Sequence, residues 1–281
     1  METIYFLVQQ TMLFSIPLLL VALGGMFSER SGVVNIALEG IMIIGAFTGI
    51  FFISRFGNLF SPTITLFIAI IISALSGLIF SLLHAYASIN MSADQVISGT
   101  ALNIFAPAFA IYVTRAIQVV QQISFVNNFR IESVPFLGNI PIIGNLLFKN
   151  AYITTYLGFI ILALSWFALY KTRFGLRLRS CGEHPQAADS VGINVYKMRY
   201  FGVAISGALA GIGGLVFVIP TSTNFNATVA GYGFLALAVL IFGQWKPIRI
   251  LYAAFFFGLM KTLASAYSGI PILSNLPISN S

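Results

Sequence analysis

The sequence predicts an all-α fold: one membrane domain over residues 1–281, built as a polytopic bundle of about eight transmembrane helices. Composition is the first reason. Of 281 residues, 58% are hydrophobic and only 7% are charged, with a mean hydropathy of +0.96. Soluble domains carry roughly 25% charged residues, so a soluble protein is excluded. Length is the second reason, because a chain of 281 residues can accommodate about eight spans of roughly 20 residues with short connections.

Eight apolar stretches follow one another along the chain. The predicted spans are Ile4–Phe27, Val33–Ser54, Pro62–Ser88, Gln95–Gln118, Tyr152–Tyr170, Tyr200–Pro220, Asn226–Phe242 and Ile248–Tyr267. Near the N-terminus there is an acidic Glu2, with neither the basic segment nor the cleavage site of a signal peptide. We therefore expect the first stretch to be retained as a span.

The loop at 171–199 predicts the orientation of the chain. It holds six basic and two acidic residues between two apolar stretches. Basic loops between spans stay on the cytoplasmic side. Alternation then places 28–32, 89–94 and 243–247 inside, and 55–61, 119–151, 221–225 and the C-terminus outside. The net charge of +7 does not indicate nucleic acid binding, because the basic residues lie mostly at span ends beside anionic lipid.

The seventh span is predicted to be a half-helix. Its continuous apolar part, Phe234–Phe242, is roughly 13 Å long as a helix, too short for a hydrocarbon core of ~30 Å. The preceding TSTNFNATVAGYG is polar and contains glycines, so we expect irregular backbone in a protein-lined or watery cavity. The second span also begins with polar and glycine residues. One interrupted segment in each half is a pointer to a transport pathway. Its candidate residues are Asn35, Glu39, Asn103, Asn224 and Asn226.

Glu39 is the most informative of these candidates. It lies about ten residues into apolar sequence, where an ionisable group costs roughly 2.5–3.5 kcal/mol unless it is paired or hydrated. Two interpretations stay open. Glu39 is either a carboxylate that lines or gates the pathway, or a structural group, which accepts a hydrogen bond from a neighbouring helix or caps its own span where that span is broken. The asparagines, taken singly, are more often hydrogen-bonding links between helices. Asp94 is predicted to cap the fourth helix, and His84 to lie at the membrane interface.

Two spans carry small residues at every fourth position. The third has Ala69, Ser73, Gly77, Ser81 and Ala85, and the sixth has Gly202, Ser206, Ala210 and Gly214. Such rows let helix backbones approach closely within a bundle.

Signals of an enzyme are missing from the sequence. It contains no phosphate-binding GxxxxGK[ST] loop, no HExxH and no cluster of Cys and His. Cys181 is the single cysteine, which rules out an internal disulfide and a cysteine zinc site. We expect neither catalysis nor a cofactor.

Within the 171–199 loop, a short helix is predicted over Pro185–Val191. Proline suits the first position of a helix, and glycine at Gly192 suits its end. From these residues alone, the loop is best interpreted as a solvated connector.

Several segments resemble the permease subunits of bacterial ATP-binding-cassette (ABC) importers in the ribose and branched-chain amino acid group. They are ALGGMFSERSGVVNIALEGIMIIGAFTG at 22–49, NMSADQVISGTALNIFA at 90–106, GLRLRSCGEHPQAADSVGINVYKMRYFGVAISGALAGIGG at 175–214 and GYGFLALAVLIFGQWKP at 231–247. Together they cover about two-fifths of the chain in the right order. The FSERSG–NIALEG combination is most similar to the nucleoside-uptake branch.

This resemblance implies a role for the short helix. In such permeases a coupling helix with the loose pattern EAA, three residues, then Gly docks on the ATPase. Gln186-Ala187-Ala188, three residues and then Gly192 fit that spacing, with Gln replacing Glu, so Pro185, Gln186, Ala187, Ala188 and Gly192 are the expected coupling residues. The implied partners are ABC ATPase subunits, which would hydrolyse the ATP, a second and related permease chain, and an extracytoplasmic substrate-binding protein. The implied location is the bacterial plasma membrane.

The expected function is therefore transport of nucleosides. Simple sugars or branched-chain amino acids are the alternative substrates, and an ion-coupled secondary transporter working through Glu39 is the alternative class. Similar permeases continue into a further C-terminal span, whereas this chain stops in NLPISNS. We expect either a truncated sequence or a member that lacks that helix.

Overall fold

A computed structural model of the chain describes residues 2–126, 129–133 and 149–266. The helices are α1 (Glu2–Arg30), α2 (Leu38–Phe56), α3 (Pro62–Ala85), α4 (Gln95–Gln118), α5 (Ile153–Lys171), α6 (Arg173–Glu183), α7 (Pro185–Ser190), α8 (Val195–Thr221), α9 (Tyr232–Phe242) and α10 (Pro247–Ala266). A π-helical turn, Tyr86–Asn90, extends α3. Within the described ranges, seven helices are long and apolar enough to cross a membrane, and α9 is a shorter apolar helix. The prediction of an all-α bundle with about eight spans is confirmed.

Two short antiparallel strand pairs lie beyond the ends of the helices. β1 (Ile123–Ser124) pairs with β4 (Asn224–Phe225), and β2 (Arg130–Ser133) pairs with β3 (Lys149–Tyr152). β1 follows α4 and β4 follows α8. The C-terminal ends of α4 and α8 therefore lie on the same face of the bundle, as the alternating topology requires.

The centre of the bundle consists of α1, α2 and α8, and α3 packs on α8. The predicted rows of small residues lie in these contacts. A Cβ at Gly77 would overlap the Gly207 carbonyl oxygen, and one at Gly214 would overlap the Met42 carbonyl oxygen. Backbones this close leave no room for a side chain, so the rows serve helix packing.

Several span boundaries differ from the prediction at the end of the bundle that the sequence predicts to be cytoplasmic. α1 continues to Arg30, and α2 begins at Leu38 rather than Val33. Between them the chain makes a turn at Gly32, whose φ is +90°, and the Ser28 hydroxyl donates to the Val33 carbonyl at 2.6 Å. The Gly32 turn and this hydrogen bond hold the chain between α1 and α2 in a non-helical path. The predicted end of the last span, Tyr267, and the stretch NLPISNS lie outside the described residues.

Candidate translocation and coupling site

The half-helix α9 begins inside the protein, as the sequence predicts. Ala227 and Ala230 have positive φ angles before it, and Gly231, at its N-cap, has a φ of +77°. With 11 residues, α9 is roughly 16 Å long, about half of a hydrocarbon core. Its first amides therefore need acceptors within the bundle, because lipid offers none.

Glu39 supplies these acceptors from the first turn of α2. Its Oε1 accepts a hydrogen bond from the Gly231 amide at 2.9 Å, and its Oε2 accepts one from the Gly233 amide at 2.6 Å. The residue is 8% exposed. A carboxylate at this position also interacts favourably with the positive end of the helix dipole. This geometry matches the structural interpretation, in which Glu39 accepts hydrogen bonds from a neighbouring helix.

Asn35 and Asn103 hold the segment that leads into α2. Asn103 on α4 accepts from the Gly40 amide at 2.8 Å and donates to the Ile36 carbonyl at 2.8 Å. The Asn35 amide donates to the Ser206 hydroxyl of α8 at 2.9 Å, and its oxygen accepts from the Ala37 amide at 3.1 Å. Both side chains therefore tie the segment before Glu39 to neighbouring helices, Asn103 from α4 and Asn35 to α8.

Asn224 and Asn226 lie apart from the Glu39 region. Both are exposed, in the extended segment that joins α8 to α9 on the predicted outer side. Asn224 belongs to β4 and pairs with Ser124. The five candidate pathway residues thus form an inner group of three and an outer pair, and their contact with a substrate stays a prediction.

Tyr232 is a candidate that the sequence reasoning missed. Its ring lies 4.0 Å from the Phe217 ring on α8, centroid to centroid. The residue is 2% exposed, and its hydroxyl has no hydrogen-bond partner among the described residues. An unpaired buried hydroxyl is costly, which makes Tyr232 a candidate functional residue at the break. The signal in the sequence was a tyrosine between the two glycines of the predicted break.

The two smaller predictions on α3 and α4 have different outcomes. Asp94 caps α4, since its carboxylate accepts from the Val96 and Ile97 amides at 2.8 and 3.0 Å. His84 is fully buried within the protein, and its level relative to the membrane interface stays a prediction. Its ring nitrogens lie 3.1 Å from the Ser98 hydroxyl and 3.0 Å from the Val34 carbonyl. A neutral imidazole needs such partners when water is excluded.

The loop at 171–199 contains two helices, of which the sequence predicted one. The short helix is present as α7, and Gly192 follows it with a φ of +81°. Gln186 and Ala187 are exposed, whereas Ala188 is only 3% exposed and faces its own chain. The exposed face of α7 is therefore the one available to a partner.

The second helix of the loop, α6, was missed. Phe174, Leu178 and Cys181 recur at helical spacing and give it an apolar face, a signal that the many arginines of the segment obscured. α6 packs on the turn after α1, where a Cβ at Gly182 would overlap the Arg30 carbonyl oxygen. An Arg30–Glu183 ion pair of 3.8 Å lies at the same contact. The loop is thus attached to the segment that leads to Glu39.

Comparison with known proteins identifies the family. Residues 7–279 match the model of the permease component of branched-chain amino acid transport systems. The chain belongs to this permease family. It is a multi-pass protein of the bacterial plasma membrane. No solved structure matches the chain.

Three curated relatives of the permease cover most of its length. It is 42% identical to the nucleoside ABC transporter permease protein NupC of Lactococcus lactis subsp. cremoris, over 99% of this chain and 88% of NupC. It is 45% identical to the guanosine ABC transporter permease protein NupQ of Bacillus subtilis, over 96% of this chain and 85% of NupQ. The nucleoside ABC transporter permease protein NupB of the same Lactococcus lactis is 27% identical, over 91% of this chain and 72% of NupB.

Proposed function

We propose that this permease forms one half of the membrane pathway of an ABC importer that takes up nucleosides. The observation that carries the proposal is its similarity, along nearly the whole chain, to two permeases named for nucleoside and guanosine transport. The resemblance of 22–49 to the nucleoside-uptake branch agrees with it.

The geometry around Glu39 supports a neutral substrate. A half-helix with free N-terminal amides is suited to bind an anionic group. Here the Gly231 and Gly233 amides already donate to Glu39. A nucleotide would therefore meet a buried carboxylate at the break instead of free donors, and its charges would have to lose their hydration without compensation. A nucleoside, with amide-like edges and hydroxyls, does not carry that cost.

We infer the partners from the loop and from the relatives. α7 exposes Gln186 and Ala187, which fits docking on a separate ATPase subunit. ATP would be hydrolysed on that subunit and not on this chain. NupB and NupC are two related permeases of one organism, which fits pairing of this chain with a second, different permease. An extracytoplasmic binding protein would deliver the substrate to the outer face.

We infer from the contacts how a movement of the ATPase is transmitted to the transport pathway. A displacement of α7 is passed to α6, which packs against the Arg30–Gly32 turn. That turn leads to Asn35, which is bonded to Ser206 of α8, and to Glu39, which holds the start of α9. Movement of the loop thus shifts the α2 entry and the half-helix together, and this opens or closes the pathway between outward and inward states.

Uptake by cells tests this function. In a strain lacking the gene, uptake of labelled guanosine, adenosine and uridine should fall, while ribose and leucine uptake should stay unchanged. The gene on a plasmid should restore uptake. Loss confined to ribose or leucine would refute nucleoside specificity and leave the permease assignment standing. Uptake that collapses with an uncoupler while cellular ATP is maintained would favour an ion-coupled transporter.

A further inference from the structure

A groove opens beside the cytoplasmic loop, between α6 and the first turns of α8. Its volume is about 540 Å³. Phe174 and Arg177 line it from α6, and Lys197 and Phe201 line it from α8. The turn after α7, which includes the expected coupling residue Gly192, also lines it. None of these four side chains belongs to the Glu39 region or to the exposed face of α7.

The groove combines two free cations with an aromatic wall. Arg177 and Lys197 are exposed, and neither side chain has an ion pair or hydrogen bond to any residue that the structure describes. The Phe174 and Phe201 rings contact each other edge to face, with centroids 6.3 Å apart. Phe201 is 46% exposed, although it is a large apolar residue.

α8 begins after its Asn194 cap. In the orientation that the basic 171–199 loop predicts, this end of α8 is cytoplasmic and the helix continues toward the outer face. Lys197 lies roughly 4–5 Å above Asn194, and Phe201 lies roughly 10 Å above it, at 1.5 Å per residue. In that orientation the order from polar cap to cation to aromatic ring matches the order of cytoplasm, lipid headgroups and acyl chains.

We propose that this groove binds one anionic phospholipid of the cytoplasmic leaflet. The headgroup phosphate lies between Arg177 and Lys197, and an acyl chain covers Phe174 and Phe201. Charge complementarity favours an anionic over a zwitterionic lipid, because both cations lack an acidic partner among the described residues of this chain. The site links α6 to α8, so the bound lipid holds the coupling loop against the bundle.

Native mass spectrometry of the full-length permease tests the proposal. The protein is extracted from nanodiscs that contain equal amounts of phosphatidylglycerol and phosphatidylcholine, and the lipid retained per chain is counted. We expect one phosphatidylglycerol to be retained in preference to phosphatidylcholine. The double variant Arg177→Gln/Lys197→Gln should weaken this retention by about 30-fold, from the attraction that each basic residue near an anionic headgroup contributes.

A matched variant controls for general charge. Arg173→Gln/Lys246→Gln removes the same two charges from positions of the cytoplasmic side outside the groove, and it should retain phosphatidylglycerol within about twofold. Phe201→Ala should lower retention of both lipids while keeping the preference for the anionic one.

Three outcomes would overturn the proposal. The first is an equal loss of phosphatidylglycerol retention in the groove variant and its control, which would mean that the lipid is attracted by general charge. The second is unchanged retention in the groove variant. The third is expulsion of the lipid when the cognate ATPase binds, together with weaker ATPase copurification by Arg177→Gln/Lys197→Gln, which would assign the groove to the ATPase.

Discussion

Glu39 joins two segments that the chain order keeps far apart. The carboxylate on α2 accepts from two amides about 190 residues later, at the start of α9. Because the break lies inside the bundle, neither water nor lipid replaces these bonds at low cost. Glu39 therefore positions the start of the half-helix.

Replacing Glu39 with Gln tests this role. One of the Gly231 and Gly233 amides loses its acceptor, and an unpaired buried donor costs about 1–3 kcal/mol. We expect a lower thermal unfolding midpoint in detergent and nucleoside uptake reduced about tenfold or more, the equivalent of about 1.4 kcal/mol. Glu183→Gln is the control, because its side chain is 68% exposed and its ion pair is weak. Unchanged unfolding and uptake in Glu39→Gln would show that the cap is dispensable.

Local signals explain which single residues were predictable. Asp94 was identified as a cap because its partners lie two and three residues along the chain. The role of Glu39 stayed open because its partners lie on another element. The burial of His84 was missed for the same reason, since it depends on Val34, 50 residues away.

At the scale of elements, α7 is a short helix with two different faces. Ala187 is exposed, while Ala188 packs against its own chain and its carbonyl accepts from the Ile193 amide at 3.1 Å. Its position matches the coupling pattern, and its exposed face is the one that we propose docks on the ATPase.

Charged substitutions at Ala187 and Ala188 should therefore differ. Ala187→Arg should leave the permease folded, as judged by size-exclusion chromatography, but lower ATPase copurification and uptake by about tenfold, equivalent to about 1.4 kcal/mol of docking energy. Ala188→Arg should reduce the amount of folded protein, because a buried position cannot hold the larger charged side chain. Ala187→Ser is the matched control. Normal copurification and uptake in Ala187→Arg would remove α7 from the ATPase interface.

The elements were predicted to different degrees. The long spans and the half-helix α9 were predictable from the length and polarity of each apolar stretch. A helix that crosses the membrane must be apolar and must match the thickness of the hydrocarbon core. The start of α2 was placed five residues early, at Val33 rather than Leu38. Residues 33–37 are apolar enough for a span, but hydrogen bonds to Ser28, Ser206 and Gln95 hold them out of a helix.

For the whole molecule, the orientation can be tested with cysteine labelling. Native Cys181 is a poor reporter, because it is fully buried. Burial raises the pKa of its thiol, against the opposing effects of Ser180 and Arg199. A raised pKa keeps the thiol protonated near neutral pH, so the reactive thiolate is scarce and grows only as the pH rises.

Two introduced cysteines give the test, in a Cys181→Ala background. Asn58→Cys, exposed after α2, should react with an impermeant maleimide in intact cells. Ser190→Cys, exposed at the end of α7, should react only after permeabilisation. The native protein should label slowly in both conditions. The reverse pattern for Asn58→Cys and Ser190→Cys would invert the topology and separate α7 from a cytoplasmic ATPase.

We propose that this chain forms one half of the pathway of an ATP-driven nucleoside importer. The most direct test of this proposal is transport in proteoliposomes that contain this permease, its partner permease and the ATPase, with the binding protein outside and ATP inside. We expect accumulation of labelled guanosine that requires ATP and persists with an uncoupler, and no accumulation of guanosine monophosphate. Accumulation driven by an ion gradient without ATP, or equal uptake of the nucleotide, would contradict it.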